Sequence, residues 1–237
     1  MVGMKARLLG GFIGNLVLKD LVVEETSSLG RGFLRVVLGA PWIREAPPGA
    51  GDKVQVFVPD VGSRTFTPCD VDAAEGRFSL VIHMRDEATP AMLWARGLGK
   101  GTTVRVVGPG SSTPLVTLSR PVALFGDETS FGVAKSLVAT HGATGNVVRL
   151  EVSSMSDTTE ACAALALPAD APVLRAADGA HHKLIAEAFA GCLAAGGSLV
   201  LTGRALSIQS VRSLLAPHVR NKVMTRAYWA EGKRGLD

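Results

Sequence analysis

Cysteine is scarce in this chain. The three present, Cys69, Cys162 and Cys192, are odd in number and lack the close spacings that disulfide frameworks, zinc sites and iron–sulfur clusters use. Those three constructions are not expected, and a reducing cytoplasm suits such thiols best. Apolar runs are short as well, so no bilayer span is expected. The nearest approach, residues 8–18 after Lys5 and Arg7, imitates a secretory leader. Asn15 interrupts it, Lys19-Asp20 follows without a small-residue cleavage site, and the pattern runs on through Val22 and Val23, so it reads as the start of a strand. Runs of basic residues are missing too. None exceeds two residues, and the net charge of +4 is mild and dispersed, which fits an anionic ligand and excludes a nucleic-acid surface.

What is present is apolar and turn-rich. Hydrophobic residues make up 47% of the 237 residues, enough for one large core or two modest ones, and disorder is not expected. With 27 Gly, 12 Pro and only 5% aromatics, the composition suits a barrel joined to an α/β layer. Short strand patterns fall at 16–25, 32–38, 53–58, 64–71, 78–84 and 103–107, with Pro47-Pro48-Gly49 and Glu75-Gly76 between them. Their spacing predicts an antiparallel barrel, interrupted by one helix from Pro90 to Leu98 with Thr89 as its cap. Near Arg120-Pro121 the pattern changes to apolar strands alternating with helices, which predicts a parallel sheet over strands at 122–125, 146–152, 172–174 and 198–202. The helices between them are expected at 130–141, 158–165, 181–195 and 206–215. The division is placed at residues 1–119 and 120–237.

Four stretches carry candidate chemistry. In Arg64-Thr65-Phe66-Thr67 a strand would put the Arg and Phe on one face and the two Thr on the other. Such a face could bind a phosphate, cover a ring and hydrogen-bond a ring edge, as a flavin dinucleotide requires, or simply be an edge strand with a solvated Arg. His83 lies on a strand ahead of the helix start Thr89-Pro90-Ala91-Met92, whose amides form an anion site for a pyrophosphate, with Trp94-Ala95 further along. Gly126-Asp127-Glu128-Thr129 is a turn where a strand's carboxyl end meets a helix, which serves either capping or a ligand. Near the end of the chain stand Gly203 and then Tyr228-Trp229. The Gly97 to Thr102 segment runs from helix to strand, the wrong order for a phosphate loop. His181-His182 reads as a solvated pair opening a helix, so no metal constellation is expected.

Taken together and in this order, these stretches resemble the signatures of the siderophore-interacting protein family, FAD-dependent ferric-siderophore reductases of the ferredoxin-reductase-like superfamily. The resemblance rests on Arg64-Thr65-Phe66-Thr67, on His83 with Thr89-Pro90-Ala91-Met92 and Trp94-Ala95, on Gly126-Asp127-Glu128-Thr129, and on Gly203 with Tyr228-Trp229. Four positions depart from it. Phe66 stands for the usual Tyr, Cys69 for a second Arg, Thr89 for Gly and Met92 for Ser.

The resemblance implies an N-terminal β-barrel FAD domain and a C-terminal α/β nicotinamide-dinucleotide domain. It implies hydride transfer from NAD(P)H to flavin, then single electrons to Fe(III) in an external siderophore or other ferric chelate. Thr67 and Phe66 would stand at the reacting ring, the other signature residues would hold cofactor, and Tyr228 or Trp229 would cover the flavin. No early acidic residue follows the second α/β strand, where Ser153-Ser154-Met155-Ser156 stands, which tilts the donor toward NADPH. A basic bias over Arg204, Arg220, Lys222, Arg226, Lys233 and Arg234 would attract an anionic chelate or a 2′-phosphate, or is solvated surface. Two other functions stay open: a flavoprotein reductase serving a ferredoxin or oxygenase, and a non-catalytic flavin- or siderophore-binding module.

Overall fold

The structure, a computed structural model, describes residues 18–219 and 222–232. Lys5, Arg7, residues 8–17, Arg220, Lys233 and Arg234 lie outside the described residues.

Seven antiparallel strands form the first sheet. They are β1 (Lys19–Ser28), β2 (Phe33–Gly39), β3 (Lys53–Val58), β4 (Gly62–Phe66), β5 (Cys69–Asp72), β6 (Arg77–His83) and β7 (Thr103–Gly110), with α1 (Trp42–Glu45) after β2 and α2 (Pro90–Arg96) after β6. Their order is β4-β3-β7-β1-β2-β6-β5. The two edge strands, β4 and β5, are therefore neighbours in the chain with only Thr67-Pro68 between them. Three virtual bonds bridge at most about 11 Å, so the two edges are drawn together and the sheet curls into a half-barrel. The sequence pattern at 64–71 predicts one strand. The structure breaks it at Thr67-Pro68, because proline brings no amide to a ladder. Leu21, Val36, Val54, Val56, Phe78 and Leu80 fill the inside of the curl.

The second sheet is parallel, in the order β10-β9-β8-β11-β12. It comprises β8 (Val122–Asp127), β9 (Val147–Val152), β10 (Pro172–Leu174), β11 (Ser198–Arg204) and β12 (Val223–Trp229). Every residue of β8 is buried, as befits a strand covered on both faces. The helices α3 (Phe131–His141) and α4 (Met155–Ala164) cover one face; α5 (Ala180–Ala194) and α6 (Ala205–Leu215) cover the other. Among the described residues no helix is long and apolar enough to cross a membrane.

The halves share a core. Leu29, Phe33, Cys69 and Val81 of the half-barrel belong to one buried cluster with Leu124, Phe131 and Val152 of the α/β half. The Phe33 ring lies 4.3 Å from that of Phe131, centroid to centroid. At this seam a Cβ on Gly132 would come within 2.7 Å of the Thr67 carbonyl oxygen, so only glycine lets α3 approach the β4–β5 link.

Candidate active site at the seam

In an open parallel sheet, ligands gather where the strand order reverses, outside the carboxyl ends of the strands. Here the chain winds from β8 to β9 and β10, then returns to β11 and β12, so the reversal lies between β8 and β11. Asp127 ends β8 and Gly203-Arg204 ends β11. The 126–129 stretch that reads as a turn is thus divided, with Gly126-Asp127 in the strand and a 3-10 turn over Glu128–Ser130.

Both glycines are demanded by closeness. A Cβ on Gly126 would meet the Ser130 Cβ at 2.3 Å, and one on Gly203, where φ is +96°, would meet the Asp127 Cγ at 2.5 Å. Asp127 is fully buried. Its Oδ1 accepts from the Thr129 amide at 2.8 Å and from the Thr129 hydroxyl, and its Oδ2 accepts from the Trp229 indole N–H at 2.7 Å. Burial raises its pKa despite these donors.

Beside it, Glu128 accepts from the Ser153 amide at 2.6 Å and from Arg175 at 2.9 Å. Burial alone would raise this carboxyl, but backbone hydrogen bonding and the Arg175 guanidinium hold it below the usual range. Arg175 also lies 3.6 Å from Glu151.

Glu151 brings the largest departure from the sequence reading. It is fully buried at the end of an apolar strand, and its Oε2 lies 2.9 Å from His181 Nε2 and 3.1 Å from His182 Nε2. The histidine pair is therefore not solvated: His181 is 3% exposed, carried inward by the helix start at Gly179 to serve this carboxylate. The three ligand atoms fall within 4.8 Å of one another, a His-carboxylate cluster that the spacing of the chain conceals. Its hydrogen bonds favour a proton over a metal. The Ala176 amide donates to His181 Nδ1 at 3.1 Å, which fixes the ring's hydrogen on Nε2, facing Glu151. A metal on Nε2 would drive that hydrogen to Nδ1, against another donor. A buried Glu in a strand covered on both faces needs a partner, and that was the available signal. Arg175 gave none.

On the half-barrel side, His83 closes β6. Its ring stands 5.3 Å from Phe33, and burial lowers its pKa against the pull of Glu128. Arg64 and Phe66 oppose Val56 and Val54, so they share the face of the barrel core, and Thr65 opposes Gln55 on the other face. Arg64 is exposed and donates to the Ser63 carbonyl at 2.7 Å. Thr67 is half-buried at the seam. The α2 start offers fewer amides than expected, because Pro90 has no N–H and the Thr89 hydroxyl already accepts from Met92 at 3.4 Å. Beside these elements runs an open groove of about 310 Å³, with Arg31, Arg85, Asp86 and Arg96 around Phe33 and Met84.

The position expected to carry a second Arg is closed. Cys69 is buried in the shared core, and burial pushes its thiol up to about 12. The neighbouring cations, Arg35 and Lys135, both reach Asp70, at 3.5 and 3.4 Å. Among the described residues, the basic side chains near the end of the chain are likewise engaged. Lys222 donates to Thr117 at 3.1 Å, Arg226 to the Ser112 carbonyl at 3.3 Å, and Arg204 to Glu231.

These shifts dictate an acid response. His83 and His182 sit below the ordinary 6.5, chiefly through burial, so unfolding takes up protons below that pH. Stability that is complete above pH 6.5 is lost as the pH falls toward the folded values. Glu128 and Glu151, held below 4.5, lose theirs lower still, whereas protonation of Asp127 favours the folded state. The melting temperature is expected to decline from about pH 6.5 downward, and His182→Gln to flatten the upper part of that decline. An unchanged profile in that variant would remove His182 from the account.

No protein-family model matches the chain. Over 130 residues, half of this chain, it is 32% identical to the mycobactin import ATP-binding/permease protein IrtA of Mycobacterium tuberculosis, and it spans 15% of that protein's length. Among solved structures, the siderophore-interacting protein SipS from Aeromonas hydrophila aligns with a TM-score of 0.72 over 92% of this chain and 93% of that one, at 18% identity. The chain has the fold of the siderophore-interacting proteins. The siderophore-interacting fold extends to phthalate dioxygenase reductase, a modular protein for electron transfer from pyridine nucleotides to [2Fe-2S]. That structure aligns with a TM-score of 0.65 over 91% of this chain and 70% of that one, at 14% identity. In this chain the half-barrel and the α/β half meet where Thr67 faces Gly132 and Phe33 faces Phe131.

A cofactor fit can be judged from atoms left without partners. Thr65 Oγ1, Thr113 Oγ1 and the Nε atoms of Arg175 and Arg204 are buried with no hydrogen bond, and so is one acceptor, Glu151 Oε1. A polar, anionic dinucleotide supplies acceptors for the donors among these, and its ribose hydroxyls can donate. The residues present fit it.

Proposed function

We propose that this chain is a flavoprotein reductase that takes electrons from NAD(P)H and delivers them through FAD to ferric iron held in a siderophore or similar chelate. The observation that carries the reading is the seam itself. The flavin-motif link at Thr67 packs on the start of α3, a few residues from the Asp127–Gly203 reversal crevice. Two flat cofactors, one from each half, would meet there. FAD, when bound, accepts the two electrons of a hydride and passes them on singly.

The chain's own residues bind, orient and exclude water. Arg64 holds phosphate, Phe66 lines the ring, Thr67 offers its hydroxyl along it, and Thr65 supports the strand from its other face. The Phe33–Phe131 contact keeps solvent from the seam. His83 and the 89–92 helix start border the flavin's phosphates, and Glu128 and Thr129 frame the nicotinamide side. The donor is NADPH: past β9 come Ser153, Ser154, Met155 and Ser156 in place of an early acid for the ribose hydroxyls, and Glu151 Oε2 is taken by His181 and His182. A ferric chelate needs no protein ligand, because its hard oxygen donors prefer Fe(III) to Fe(II) and release the metal on reduction.

The test is an anaerobic visible spectrum of the FAD-loaded protein with NADPH, and with NADH in parallel. Bleaching of the oxidised flavin, faster with NADPH, followed by recovery on adding a ferric chelate, is the expected result. Arg64→Ala should weaken flavin retention at least tenfold, the loss of about one charge-assisted hydrogen bond. A bound flavin that both donors leave oxidised would sink the reading in favour of a binding module. Recovery with a protein acceptor alone would move the assignment to a reductase for ferredoxin or oxygenase.

A further inference from the structure

We propose, on the reductase reading above, that Asp127 is a positioning residue that fixes the Trp229 indole as a rigid wall of the crevice between β8 and β11, against which the pyridine nucleotide packs.

The two oxygens of Asp127 have separate duties. Oδ1 takes both donors of Thr129, which is the ordinary work of a helix cap, and any Asp, Asn or Ser could do it. Oδ2 has the indole N–H, from a residue 102 positions further along, as its hydrogen-bonding partner. Capping therefore explains one oxygen, and Trp229 the other.

The surroundings are built for that second bond. β11 gives up a side chain at Gly203, at a positive φ, so that the carboxylate fits. The register of β12 on β11 shifts between Ala227 and Trp229, so that Arg204 pairs with Trp229. The Arg204 guanidinium lies over the indole face, 5.6 Å from the ring centroid, and is itself held by Glu231. The ring is thus restrained at its edge by Asp127 and over its face by Arg204. Trp229 is therefore a surface already in place, which spares the nucleotide the loss of entropy from ordering it.

Asp127→Asn separates the two duties, since its oxygen keeps the cap while its amide opposes the indole N–H donor to donor. The measurement is the 15N indole spectrum of the flavin-free protein, with the Trp229 signal identified by its loss in Trp229→Phe. Asp127→Asn is expected to speed hydrogen exchange of that indole about tenfold or more, equivalent to a hydrogen bond to a charged group. With FAD loaded, the dissociation constant for NADPH should rise about tenfold while flavin retention stays within about twofold. An indole signal that Asp127→Asn leaves in place would overturn the proposal. So would a displaced signal with unchanged NADPH binding, which removes the wall's role and leaves the reductase reading standing. Wild-type protein that binds no pyridine nucleotide would sink both.

Discussion

Glu151→Ala is expected to destabilise the protein by about 3–5 kcal/mol, seen as a lower denaturant midpoint with an unchanged slope. The substitution removes an acceptor from two imidazoles and leaves a cavity at the carboxyl end of β9. Burial disfavours the charged carboxyl, yet hydrogen bonds from His181, Ser207 and His182 and the charge of Arg175 together hold its pKa below the usual range. Removing the carboxylate orphans those donors in a place water does not reach. Glu151→Gln keeps the volume and one acceptor, so its loss should be about half as large. A loss under about 1 kcal/mol for the alanine variant would show that the histidines find other partners, and the cluster would then be incidental.

Gly203→Ala should be nearly as damaging and more informative about the site. A φ of +96° strains any L side chain, and the new Cβ would lie 2.5 Å from the Asp127 Cγ. The expected cost is about 2–4 kcal/mol, together with a displaced Trp229 indole. Asp127→Gly in the same chain removes the clash and leaves the strain. Partial recovery of stability in the double variant would apportion the two effects, and no recovery would mean that the contact with Asp127 is not what excludes a side chain at 203.

Much of the fold was legible because periodicity and turn chemistry are local. The apolar run Val122 to Phe125 predicts a strand buried on both faces, and Pro172–Leu174 falls as read. The β4–β5 break was obscured because the alternation continues across Thr67-Pro68, and only the missing amide of Pro68 marks it. The short α1 at Trp42–Glu45 has too few residues to show a period. In the candidate site, Asp127 and Gly203 stand out in sequence as a strand-end acid and a late glycine, but their mutual contact does not. Side-chain partners 30 or 102 positions apart, such as Glu151 with His181 or Asp127 with Trp229, leave no periodic trace. His181 looks polar and solvated in a string of letters, and becomes a core residue only because the fold delivers a buried carboxylate to it.

The seam also bears on how such a chain can be recombined. Phe33, Leu29 and Val81 lean on Phe131 and its neighbours in one continuous apolar mass, so either half cut free would present a raw greasy face to water. Modular swapping, in which one reductase lends its nucleotide-binding half to another, would therefore have to carry the matching contact residues across the join. The half-barrel and the sheet inherit each other as a fitted pair.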